Sequence, residues 1–283
     1  MSVLAVRRLR VTADDFGLTP GVTDGIIESH RCGIVTHTSV MASGLDFDRA
    51  MAEARGLPLL GVGVHLTLTW GLPALAVERV RSLVGPDGRF VGLGAIIRRA
   101  ITQRLVLREV AEEWRAQIRK VTQSGVAPTH LDSHHHVHVI PSLLPLAAEV
   151  AREAGIDWLR RPREFLCGKA VPLRRMAARI ILGAACLRRW PLPTSDTFRG
   201  VSLRGHRHFR GALEQMLRNL PAGWTELMVH PGKPDTALGR EDAFVSGRGI
   251  ELDDLCAGSV RQLIADVGIV LDWAGGRGGG GRG

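Results

Sequence analysis

The chain reads as an α/β protein folded into a single (β/α) barrel, and three observations carry that reading. Its 283 residues suit one barrel of roughly 250 residues better than two large domains. Strand-like and helix-like patterns alternate along most of the chain, as parallel strands joined by crossover helices require. The candidate functional residues fall at the ends of predicted strands, where a barrel gathers its chemistry.

The elements follow in order. Residues 3–12 are rich in β-branched and apolar residues and end in Asp14-Asp15; Pro20-Gly21 then opens a helix with Val22, Ile26 and Ile27 on one face, closing near Gly33. Residues 34–42 repeat the strand signal, 46–55 the helix, and 59–69 give a third strand containing His65. Residues 72–94 read as loop around Pro86-Asp87-Gly88, and a long helix from about 95 to 123 carries a break near Gln103. Residues 128–140 read as strand, 141–154 as helix and 156–161 as a short strand. Beyond a basic segment, 212–220 and 253–267 read as helices, 226–230 and 269–273 as strands. One domain therefore spans 1–274, including a basic insertion at about 166–210, and the Gly/Arg tail 275–283 is expected to be disordered.

With 45% hydrophobic and 23% charged residues the composition is globular, which excludes wholesale disorder. No apolar run approaches the roughly 20 residues of a membrane span, and the first ten residues lack a signal-peptide pattern, so a cytoplasmic, unprocessed protein is expected. The four cysteines show no C-x-x-C pairing and read as reduced thiols. The net charge of +9 is local: residues 160–210 hold thirteen Arg or Lys against Glu164 and Asp196, leaving the remainder slightly acidic. That concentration, with no Tyr in the chain, argues against a nucleic-acid groove lined by stacking aromatics.

Five of the eleven histidines lie within residues 130–138, His-Leu-Asp-Ser-His-His-His-Val-His. On an extended strand, Asp132, His134, His136 and His138 would share one face, a donor set suited to a divalent transition metal. A core would not accept four such groups without partners. His30, His37, His206 and His208 read as ordinary surface or hydrogen-bonded histidines, while Asp14-Asp15 and His230 each read equally well as turn residues or site residues when taken alone.

The segments V-T-A-D-D-F-G-L-T-P (11–20), G-I-V-T (33–36), G-V-H-L-T-L-T (63–69), T-H-L-D-S-H-H-H-V-H (129–138) and M-V-H-P (228–231) resemble the YdjC-like carbohydrate deacetylases, a family with chitooligosaccharide and hopanoid-associated members. The similarity runs from about residue 8 to 273. It implies a distorted (β/α) barrel of the polysaccharide-deacetylase-like kind and metal-dependent removal of acetyl groups from N-acetylated sugars. It also implies Asp15, His65 and His134 as ligands of one divalent ion, Zn²⁺ or Mg²⁺, with Asp14 as general base. One carboxylate and two imidazoles leave open positions, as a catalytic ion needs. His230 is placed to protonate the leaving amine. Arg161, in a segment resembling the family's Arg-x-Pro, is placed to orient Asp14 or the substrate, with Arg160 beside it offering the same chemistry. Asp132 is assigned to substrate contact, and His136 and His138 to substrate contact or support of the ligands.

Residues 176–187 are apolar apart from Arg179 and are flanked by Arg174, Arg175, Arg188 and Arg189. Such a segment either packs on the barrel as a helix or rests on an anionic membrane that presents a glycolipid substrate. Two alternatives are a metal-dependent phosphoesterase and a non-catalytic nucleic-acid-binding protein using the basic segment. Oligomerisation is left open.

Overall fold

A computed structural model describes residues 6–166 and 189–274. Strand β1 (Arg7–Phe16) is buried from Leu9 to its end and forms the spine of the sheet. The others are β2 (His37–Val40), β3 (Gly61–Leu66), β4 (Leu131–Ser133), β5 (Thr197–Arg199), β6 (Gly223–Val229) and β7 (Ile269–Leu271). All pair in parallel in the order β4-β3-β2-β1-β6-β5, with β7 beside the first residues of β1. Strand β6 follows β1 from Arg7 to Ala13, while β7 takes Arg7–Leu9 and β2 begins at Thr12. The sheet curls into a half-barrel whose strands carry buried apolar residues such as Leu9, Val11, Val62, Val64, Leu131, Leu227 and Val229. Parallel strands place their C-terminal ends, and the site, at one rim.

Helix α1 (Pro20–Cys32) starts where Thr19 Oγ1 accepts from the Val22 amide at 3.4 Å and Pro20 presets the first turn. Its Gly25 lies so close to Gly232 that an added Cβ would sit 2.5 Å from the Gly232 Cα, which seats the loop after His230 against the helix. Helix α2 (Phe47–Arg55) follows β2 as expected. The predicted break near Gln103 separates α3 (Leu93–Ile101) from α4 (Leu107–Gln123), with Gln103 at φ 55°. The turn at Pro86-Asp87-Gly88 is closed by an antiparallel bridge between Val84 and Phe90. Helices α5 (Leu144–Glu153) and α6 (Phe209–Arg218) also stand near their expected positions.

Four expectations are corrected. The strand over 128–140 is extended only at Leu131–Ser133; His134–Val139 turns as a 3₁₀ segment with His135 and His136 at φ 55° and 54°. The short strand at 156–161 reduces to one bridge, Leu131 to Leu159. The helix at 253–267 is two, α7 (Ser246–Cys256) and α8 (Gly258–Asp266), broken at Ala257 where ψ is 130°. The segment 166–210 is not all insertion, since β5 belongs to the sheet and Phe209 to the core. The apolar run 176–187 lies outside the described residues. No helix of the described residues is long and apolar enough to cross a membrane.

Candidate metal and active centre

At the end of β1 the register shifts between Ala13 and Phe16, and Asp15 takes a left-handed φ of 71°. The kink sends two adjacent carboxylates to different partners. Asp14, 2% exposed, is gripped by Arg160, whose Nη1 and Nη2 donate to Oδ2 and Oδ1 at 2.7 and 2.8 Å. Asp15 Oδ1 faces His134 Nδ1 at 3.1 Å and His65 Nε2 at 3.5 Å, while its Oδ2 accepts from Arg248 Nη2 at 2.6 Å.

His65, next to last in β3, stands opposite Asp132 of β4, the two being in register. Its Nδ1 donates to Asp132 Oδ1 at 2.7 Å, which fixes the tautomer and leaves Nε2 turned toward Asp15. Asp132 Oδ2 accepts from Ser39 Oγ and Arg160 Nη1, both at 2.7 Å. Arg160 Nε completes its set on Glu226 Oε1 at 2.8 Å, reaching β6 across the sheet. His134 is the open member of the group, its side chain 17% exposed against 2% for those of Asp15 and His65. Solvent therefore meets the centre from the His134 side.

Among the described residues, two groups of side chains bring possible ligand atoms within 4.8 Å of one another: Asp15, His65 and His134, and Asp14, His65 and Asp132. Arg160 decides between them. Its Nη1 already bridges Asp14 Oδ2 and Asp132 Oδ2, so the positive charge between those carboxylates is supplied by the protein. In the first group the guanidinium of Arg248 meets only Asp15 Oδ2, leaving Oδ1 toward both imidazoles, and one carboxylate with two imidazoles fits a catalytic divalent ion. The surrounding charge agrees. Buried Asp14, Asp15, Asp132 and Glu226 face buried Arg160 and Arg248, an excess of negative charge.

Ionisation follows the same geometry. Burial pushes the Asp14 carboxyl up to about 6, with Arg160 opposing. Burial also acts on Asp15, but Arg248, His134 and His65 hold it well below the usual carboxylate range. Burial lowers His65, yet the carboxylates of Asp132 and Asp14 lift it to about 9, so a positive charge is favoured here. Burial and Arg204 push His230 well below its ordinary value and keep its ring neutral.

Residues 8–266 match the YdjC-like protein family. The chain belongs to that family. A carbohydrate deacetylase of Oceanobacillus iheyensis is 34% identical over 266 residues, covering 91% of this chain and 99% of that protein. A chitooligosaccharide deacetylase of Klebsiella pneumoniae is 36% identical over 274 residues, covering 94% and 97%. Among solved structures, a protein of Enterococcus faecalis V583 proposed to cleave cellobiose phosphate superposes with a TM-score of 0.76 at 32% identity, covering 95% of this chain and 97% of that one.

This YdjC-like protein brings Asp14, Asp15, His65 and His134 together, and it redistributes the other assigned residues. Arg160 is the arginine that grips both oxygens of Asp14, and the Arg161 guanidinium lies 5.4 Å from the Trp190 ring centre. The two are neighbours in sequence, and the bridge of Leu159 to Leu131 of β4 sets how each leaves the chain. Asp132 is fully buried with both oxygens engaged inside the protein, and so supports His65 instead of meeting substrate. His138 is also fully buried, bonded through Nδ1 to Ser133 Oγ at 2.6 Å and through Nε2 to the Arg160 carbonyl at 2.9 Å. His136 turns inward, its ring 6.1 Å from that of Phe198. The left-handed turn at 135–136 breaks the alternation that would have aligned these side chains. His230 is buried beside Phe244, its backbone amide donating to Glu251 Oε2 at 2.5 Å. Arg248 and Glu226 gave no sequence signal: Arg248 stands between two glycines, and Glu226 is a single acid in an apolar strand.

Proposed function

We propose that this chain is a metal-dependent carbohydrate deacetylase that hydrolyses the acetamido group of an N-acetylated sugar. The observation that carries the reading is the meeting of Asp15, His65 and His134 around one point with Asp14 held alongside by a buried arginine. The deacetylase names of relatives 34% and 36% identical over nearly their whole length support it. A divalent ion, Zn²⁺ or Mg²⁺, held by Asp15, His65 and His134 would polarise the acetamido carbonyl and make a water acidic.

The chain's own groups do the rest. Asp14 takes the proton of the attacking water, and its carboxyl at about 6 suits both accepting that proton near neutral pH and giving it up afterwards. Arg160 fixes both Asp14 oxygens, so the base meets the water in one orientation. Asp132 holds the His65 ring in the tautomer that turns Nε2 inward. The proton Asp14 takes from the water is the one the departing nitrogen needs, and His230, whose lasting charge burial and Arg204 oppose, relays it from Asp14 to that nitrogen. A two-metal phosphoesterase would need the second acidic group for an ion, and Arg160 occupies that place.

The substrate is either a free chitooligosaccharide or a membrane-held glycolipid such as a hopanoid glycoside, the latter drawing on the charge of residues 166–210. Acetate release from a panel of both kinds tests the activity. Release from N-acetylated sugars, lost in Asp15→Ala, is expected; no release from any member contradicts the reading. Greater release from glycolipids in anionic than in neutral vesicles would favour the membrane-held substrate.

A further inference from the structure

Two buried arginines divide the adjacent aspartates between them. Arg160 grips both oxygens of Asp14, whereas Arg248 takes only Oδ2 of Asp15 and leaves Oδ1 toward His65 and His134. Arg248 is itself fixed in place. It is fully buried on α7, its Nε donates to the Phe244 carbonyl at 3.1 Å, and the same Nη2 donates to Asp242 Oδ2 at 2.6 Å.

A carboxylate with both oxygens free can hold a cation through one or both, and each oxygen used closes a coordination position. A guanidinium bonded to one oxygen removes that choice. Building on the metal reading above, we infer that Arg248, anchored by Asp242, is a positioning residue that reserves Oδ2 of Asp15. The carboxylate is thereby restricted to one ligand atom, and positions on the cation stay open for water and substrate. An arginine that merely braced Asp15 would, when lost, leave a looser ligand and weaker metal binding. Reservation gives the opposite sign: Oδ2 becomes a second ligand atom and a nearby positive charge disappears.

The test titrates the metal-stripped full-length chain with Co²⁺, following visible absorption, and measures acetate release on the same samples. Arg248→Met should bind Co²⁺ as tightly as wild type or more tightly, with the weaker d–d absorption of a higher coordination number. Its turnover should fall roughly 10–100-fold, the scale of losing an outer partner of a metal ligand. Arg248→Lys, which returns a positive charge to Oδ2, should restore the wild-type spectrum. Asp242→Ala, which frees the anchor, should move the same way by a smaller step, and it decides the matter if Arg248→Met does not fold. A wild-type spectrum in the deciding variant, or weakened Co²⁺ binding, overturns the inference. A wild-type chain that takes up no Co²⁺, or an Asp15→Ala chain that takes it up unchanged, instead overturns the metal site on which the inference rests.

Discussion

Asp14 and Asp15 are neighbours with opposite fates, and the reason is local: one left-handed residue and two buried guanidiniums. Asp14→Asn removes a proton acceptor without removing a ligand, so metal should stay bound while turnover drops about 10²–10⁴-fold; a near wild-type rate would place the base elsewhere. Arg160→Met leaves Asp14, Asp132 and Glu226 without their shared cation, and urea unfolding should show a loss of about 3–5 kcal/mol, the scale of breaking a buried ion pair. A loss within experimental error would mean the network relaxes freely. At this scale the candidate ligands were legible in the sequence because Asp-Asp and the histidine run stand out from an apolar chain. Their supporting partners were not: Arg160 lies 146 residues from Asp14 and Arg248 lies 233 from Asp15, distances no local pattern spans.

Elements were legible where pattern and backbone agree, as in β1, α1 and the α3–α4 break, and illegible where a special backbone intervenes. The histidine run has the alternation of a strand but turns left-handed at 135–136, so the expected single face splits into His134, beside Asp15, and the inward His136 and His138. The single helix expected over 253–267 misses the first turns of α7, which Arg248 and Glu251 hold in the interior although glycines 247 and 249 flank Arg248. At the break between α3 and α4, Gln103 is also left-handed, exposed at φ 55°. A left-handed non-glycine residue costs roughly 1–2 kcal/mol, more than the roughly 0.5–1 kcal/mol that glycine loses in chain entropy. Gln103→Gly should therefore raise the unfolding midpoint slightly, and a lowered midpoint would show that the Gln103 side chain contributes to the joint.

Across the whole molecule, buried charge couples the site to stability. In the metal-stripped chain burial lifts Glu251, which holds the His230 amide, from 4.5 to about 7. The folded chain keeps a proton that the unfolded chain releases, so this contribution is full below about pH 4.5 and is lost as pH rises through about 7. Urea unfolding of Glu251→Gln across that window should give a flatter stability profile than wild type, and parallel profiles would contradict the assignment. The barrel itself was legible as alternating strands and helices, while β5 was hidden in a basic stretch whose charge dominates its composition. The central claim is that one divalent ion at Asp15, His65 and His134 makes this half-barrel a sugar deacetylase. Acetate release from an N-acetylated oligosaccharide, measured as the ion is returned to the metal-stripped chain, tests it most directly. The rate should be negligible without the ion and should saturate at about one equivalent per chain, as a single catalytic site requires; a full rate without the ion, or saturation only at two equivalents, would contradict it.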